Sequence, residues 1–204
     1  MSERKKLEPK TATEVIVERE ERLRTDSEYR SRVEAVEAER RNRVQALREA
    51  EQPIVVDLGG VGCRVDSVWD LVNTSDPYPQ ALPVLLDHLR RGGYPDRVME
   101  SLGRALAVKP SVAYWDTLRG LYLSAQGPGE ETGLAVALAA CATTDHFDDL
   151  VALLREESRG STRILFLRPI RRLRRRQGLE IIESLVDDPL FRREARARLP
   201  RRKP

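Results

Sequence analysis

Four stretches of this chain open at Pro79, Ser111, Asp145 and Gly178, at steps of 32, 34 and 33 residues. A near-constant step of this length marks a chain built by stacking one supersecondary unit. Each unit is too small to bury its own apolar face and has to lean on its neighbours. Within the stretches the apolar residues recur at three and four positions, which places them on one face of a helix. Leu82, Leu85, Leu86 and Leu89 form one such stripe, and Val98, Leu102, Ala105 and Leu106 the next. Leu150, Leu153 and Leu154 follow, then Ile181, Ile182, Leu185 and Val186. The spacing predicts an all-α fold, with about four helix pairs over residues 79–199.

Punctuation agrees with the pairs. Ser111, Asp145 and Ser161 stand where an N-cap oxygen is wanted, and Pro95 where a helix opens. Gly127-Pro128-Gly129 breaks the second pair. The run Val186-Asp187-Asp188-Pro189-Leu190-Phe191-Arg192-Arg193-Glu194-Ala195 resembles the HEAT-repeat consensus, in which a short Asp-Pro turn opens the second helix. Leu85-Leu86-Asp87-His88-Leu89 and Leu150-Val151-Ala152-Leu153-Leu154 look like first-helix cores of that family. The resemblance covers residues 79–199 and implies a right-handed α-solenoid of HEAT or armadillo type. The tetratricopeptide Trp/Gly/Tyr pattern is not evident. In such solenoids the second helices line a concave surface, and the family binds proteins.

Upstream, residues 1–12 read as a polar tail and 13–51 as a charged helical arm. Opposite charges three and four apart support such a helix by roughly 0.2–0.5 kcal/mol per pair. Thr25-Asp26-Ser27 interrupts the arm, with Asp26 or Ser27 capping its second helix. Its apolar stripe is thin, Val33, Val36, Val44 and Leu47 with Arg40 among them. That suits a solvated arm, or in a sharper reading a docking helix or weak coiled coil. Gln52-Pro53 is expected to end the arm, and Ile54–Leu58 to run extended or turn. Residues 52–78 then cap the repeats, with Trp69 as a core wedge in a helix Asp66–Asn73. Gly59-Gly60-Val61-Gly62 lacks the Lys-Ser/Thr of a phosphate loop and the third glycine of a dinucleotide fingerprint. Residues 200–204 read as a basic tail.

Charge is unevenly spread. Residues 1–50 carry net +1, 51–162 net −7 and 163–204 net +9, an asymmetry that bears on partners more than on fold. Chemistry-bearing patterns are scarce. The two histidines, His88 and His146, belong to no zinc motif, and Cys63 and Cys141 lie far apart with no CxxC. They read as buried thiols of a reducing cytoplasm. Neither a secretory leader nor a membrane span is expected. The acidic pairs Asp148-Asp149 and Asp187-Asp188 read as a helix opening and an inter-helix turn. Some DNA glycosylases have a HEAT-like fold, and Trp115-Asp116 would be the nearest counterparts of their groove residues, with no wider match.

The feature that stands out is Arg168-Pro169-Ile170-Arg171-Arg172-Leu173-Arg174-Arg175-Arg176. On one helix, Arg168, Arg171, Arg172 and Arg175 would share a face. Their guanidinium groups suit carboxylate or phosphate clamps. Tyr114, Arg119 and Tyr122 are the candidate aromatic and cationic anchors of the same surface. The expected function is a non-catalytic scaffold or adaptor that binds a protein partner and needs no cofactor. The alternative is a nucleic-acid binder using the Arg stripe on phosphates, for which interleaved aromatics would be wanted.

Overall fold

The computed structural model describes residues 10–200. The expected tails therefore fall mostly outside the described residues, at 1–9 and 201–204. The chain is 80% helical, with no strand among the described residues. It divides into two compact units, the first ending at Ala46 and the second beginning at Leu47.

The first unit holds α1 (Ala12–Thr25) and the opening of α2 (Ser27–Gly60). Thr11 and Glu14 form a reciprocal capping box that starts α1. Asp26 makes the corner, its Oδ1 accepting from the Tyr29 N–H at 2.9 Å. No residue between Lys10 and Ala46 is buried.

The second unit begins within α2, and here an expectation fails. Gln52-Pro53 does not end the helix, and Ile54–Leu58 is neither extended nor a turn, because α2 continues to Gly60. A proline inside a helix deletes one backbone hydrogen bond and costs about 3 kcal/mol. Pro53 is exposed, so the defect faces solvent, whereas Glu51, Ile54 and Leu58 bury one face of the same helix. Fully burying two large aliphatic side chains returns about 1.5–3 kcal/mol each, enough to carry the helix through. Only Gly62 of the glycine cluster takes a positive φ, 81°, and makes the turn.

The next element, α3 (Val68–Asn73), is held by that buried face. Glu51, 6% exposed, accepts the Val68 N–H at 2.7 Å and the Ser67 hydroxyl at 3.1 Å. It thus serves one of the helix's free N-terminal donors from another helix. Glu51→Ala is expected to cost about 1–2 kcal/mol, read as a lower urea midpoint with an unchanged slope. Trp69 is half-buried and lies under the Arg97 guanidinium, 4.2 Å from its ring centre.

Four helix pairs follow: α4 (Leu82–Arg91) with α5 (Asp96–Ala105), α6 (Trp115–Ser124) with α7 (Pro128–Cys141), α8 (Phe147–Arg155) with α9 (Leu167–Leu173), and α10 (Arg175–Ser184) with α11 (Arg192–Arg198). The members of each pair touch, and α3, α5, α7, α9 and α11 touch in succession. The first three pairs are entered through 3-10 turns at Pro79–Ala81, Lys109–Tyr114 and Thr144–His146. This lead-in displaces the expected caps. Ser111 lies inside its turn with a buried hydroxyl, Asp145 lies one residue past the turn's opening, and Ser161 lies within the 3-10 stretch Glu157–Phe166. Pro95 precedes α5 as its N-cap residue.

The helix α7 is central. Gly133, Leu134, Ala135, Ala137, Leu138 and Cys141 are all buried, so it is apolar nearly all round. Its N-terminus is capped from α5, where Asp96 accepts the Gly129 N–H at 2.8 Å and the Glu130 N–H at 3.1 Å. Gly103 and Gly133 meet backbone to backbone where the two helices cross. One continuous apolar core runs from Ile54 to Ala195.

Candidate functional site

A groove of about 410 Å³ opens along the row of second helices. Its floor is aliphatic: Val136, Ala139 and Ala140 from α7, at i, i+3 and i+4, with Leu165 and Pro169 from the approach to α9 and α9 itself. Three cations rim it, Lys109 from the turn before α6, and Arg168 and Arg172 from α9. No aromatic residue lines it. These three segments lie roughly one repeat apart in the chain, and only the stacking of pairs brings them together.

The rim cations differ in what they already hold. Arg172 donates to the Ala142 carbonyl at 3.3 Å, at the C-terminal end of α7, where a cation also meets the negative end of the helix dipole. Lys109 and Arg168 are exposed and hold neither a hydrogen bond nor an ion pair among the described residues. Two unpaired cations over an apolar floor make a surface for a ligand with carboxylate or phosphate groups and short apolar contacts.

The four-arginine stripe does not exist as one helical face. Arg174 takes φ −132° and ψ 86° after α9 ends at Leu173, so Arg175 opens α10. The break is held by Arg174, whose guanidinium lies 4.6 Å from the centre of the Phe147 ring and 3.7 Å from Asp148. Arg171 is half-buried on α9, near the crossing where Gly178 of α10 approaches its Cα. Arg168 and Arg172 reach the groove, while Arg171 and Arg175 are not among its lining residues. Pro169 stands in the first turn of α9, where its missing N–H is tolerated.

The second candidate group is largely structural. Tyr122 is fully buried and offers no free surface. Its ring meets Phe166 edge-on at 5.5 Å, its hydroxyl pairs with Thr162 at 2.9 Å, and burial pushes its pKa up to about 12. Thr162 in turn donates to Glu131, and Arg159 lies 3.7 Å from that carboxylate. Arg119 donates to Asp149 Oδ1 at 2.8 Å, while the buried Trp115 indole donates to Oδ2 of the same carboxylate, also at 2.8 Å. Trp115 also stacks on His146 at 4.1 Å. This cluster fastens α6 to α8 and its lead-in turn. Tyr114 is half-buried at the entry to α6.

One arrangement has the outline of a proton relay. His88 is buried, with Nδ1 2.6 Å from the Tyr94 hydroxyl and Nε2 2.9 Å from Asp57 Oδ2. Both ring nitrogens are thereby occupied, leaving no lone pair or proton for a substrate. It links α2 to α4. Among the described residues no cluster of three or more His, Cys, Asp or Glu could hold a metal ion.

Lys109 is the site residue that sequence reasoning missed. Its one signal was a position beside Pro110 at the junction between pairs. No family model matches the chain, and neither does any curated protein or solved structure. No helix among the described residues is long and apolar enough to cross a membrane.

Proposed function

We propose that this chain is a non-catalytic helical-repeat scaffold, a short right-handed α-solenoid of HEAT type, that docks an acidic segment of a protein partner in the groove over α7. The observation that carries this reading is the pair of unengaged cations, Lys109 and Arg168, standing over an aliphatic floor. The near-constant spacing of four helix pairs and the successive contacts of α3, α5, α7, α9 and α11 support the solenoid. The groove runs across segments of successive helix pairs, which suits an extended peptide segment. The absence of aromatics from its lining weighs against bases, which stack on such platforms. Two buried, unpaired cysteines suit a cytoplasmic setting.

The test is pull-down from nuclease-treated source lysate with the wild-type chain and with Lys109→Glu/Arg168→Glu. A protein retained by the first and lost by the second supports the reading. Fluorescence anisotropy with an acidic peptide taken from that protein should then show affinity at least tenfold weaker for the variant, equivalent to about 1.4 kcal/mol. Equal capture by both chains would remove the groove from the account. Retention only before nuclease treatment, with binding to a DNA or RNA probe that falls steeply with salt, would establish the nucleic-acid alternative.

A further inference from the structure

The first unit is helical without a core. None of its residues from Lys10 to Ala46 is buried, and Val15, Ile16, Val17, Val36 and Val44 are 51%, 56%, 57%, 66% and 45% exposed. A 14-residue helix such as α1 is marginal by itself in water, since most helical stability comes from packing an apolar face. Contacts near the corner fix the angle between α1 and α2. Arg30 donates to the carbonyls of Leu23 and Arg24, both at 2.7 Å, and the Arg22 guanidinium lies 4.3 Å from the centre of the Tyr29 ring. Beyond the corner the helices enclose an open cleft of about 560 Å³.

The cleft has a chemistry of its own. Val33 and Val36 supply apolar surface, and Arg19, Arg22, Arg32 and Arg40 surround it against a single carboxylate, Glu37. The same unit carries the complement. Glu14, Glu18 and Glu21 recur at four and three positions along one face of α1, and Val17 lies beside them. From Lys10 to Ala46 there are nine basic and nine acidic residues, so this part of the unit is neutral while the arginine-lined cleft and the glutamate face of α1 are opposite in sign. Glu14 closes the capping box with Thr11 and Glu18 pairs with Lys10, but these contacts are exposed and such pairs contribute little, while Glu21 holds no ion pair among the described residues. A second copy of the unit both brings this acidic face to the cleft and offers arginines to the face in return.

We infer that the occupant of this cleft is α1 of a second copy of this chain. Each α1 enters the cleft of the other copy, Val17 covering Val33 and Val36 and the adjoining Glu18 and Glu21 meeting the arginine rim. The arrangement is isologous, each surface given and received once, and so closes as a dimer.

The experiment uses the full chain. Sedimentation equilibrium of the wild type should give twice the 23.2 kDa chain mass at micromolar concentration. Two charge-reversed chains are then prepared, Arg32→Glu/Arg40→Glu and Glu18→Arg/Glu21→Arg. Each alone should be monomeric, with an apparent dissociation constant raised at least tenfold, because its cleft and its α1 now carry the same sign. Mixed one to one, they should restore a heterodimer, since each cleft again faces an α1 of opposite sign. All four positions are exposed, and circular dichroism confirms that the chains remain helical. A monomeric wild type, variants that dimerise alone, or a mixture that stays monomeric would each overturn the inference.

Discussion

Gly133→Val is expected to lower the unfolding free energy by about 3 kcal/mol, at the upper end of the usual cost of overpacking. A Cβ at Gly133 would stand 2.6 Å from the Glu100 carbonyl oxygen and 3.1 Å from the Gly103 Cα. At Gly103 it would stand 2.5 Å from the Gly133 carbonyl carbon. These obstacles are backbone atoms of a facing helix, so no rotamer change relieves them, and α5 and α7 must separate. Separation also withdraws Asp96 from the Gly129 and Glu130 N–H groups, which it caps across the same contact. Gly120 of α6 supplies the control. It is exposed, with open space where a side chain would project. There the intrinsic penalty of glycine in a helix is all that acts, and Gly120→Ala should stabilise by about 0.5–1 kcal/mol. In a unit of this size 1 kcal/mol moves the melting temperature by about 2–4 °C. The two substitutions should therefore shift calorimetric melting in opposite directions. A Gly133→Val chain that melts with the wild type would mean that α5 and α7 are not in close contact.

Helices written by short-range periodicity were legible in the sequence, and features made by the meeting of distant segments were not. The aliphatic stripes placed α4, α5, α8 and α10, because three- and four-residue spacing is a local property of one helix, although α10 opens at Arg175 and not at Gly178. Pro53 misled for the opposite reason. The cue to stop is local, whereas the burial of Ile54 and Leu58 that overrides it depends on partners elsewhere in the chain. The arginine run kept its helical spacing through Arg175, and nothing local announced that Arg174 would leave helical geometry to lie over Phe147. Tyr122 has the chemistry of an interface anchor and of a core residue alike, and only its fit against Phe166 and Thr162 decides between them. The groove draws on residues 107–109, 136–140 and 165–172, so no window of one helix contains it.

The second large effect is expected at Asp149, where one carboxylate serves two donors from the preceding pair. Asp149→Ala should cost about 2–3 kcal/mol. Most of that comes from the Trp115 indole N–H, a buried donor left without an acceptor, at about 1–3 kcal/mol. The Arg119 pair adds little, because both partners are partly exposed and such pairs contribute about 0–1 kcal/mol. Asp149 also lies in the first turn of α8, where a carboxylate favours the helix dipole. The contributions separate by substitution. Asp149→Asn keeps an oxygen for the indole and loses only charge, so it should cost less than half as much as Asp149→Ala. Arg119→Ala should cost under about 1 kcal/mol. In a double-mutant cycle, Trp115→Phe with Asp149→Ala should show coupling of about 1–2 kcal/mol, because phenylalanine has no donor to orphan. Coupling near zero would mean that the indole is not held by this carboxylate. The junction between the second and third pairs would then rest on the Trp115–His146 stack, the Arg119–Asp149 pair, the Tyr122–Thr162–Glu131 hydrogen bonds and the apolar core.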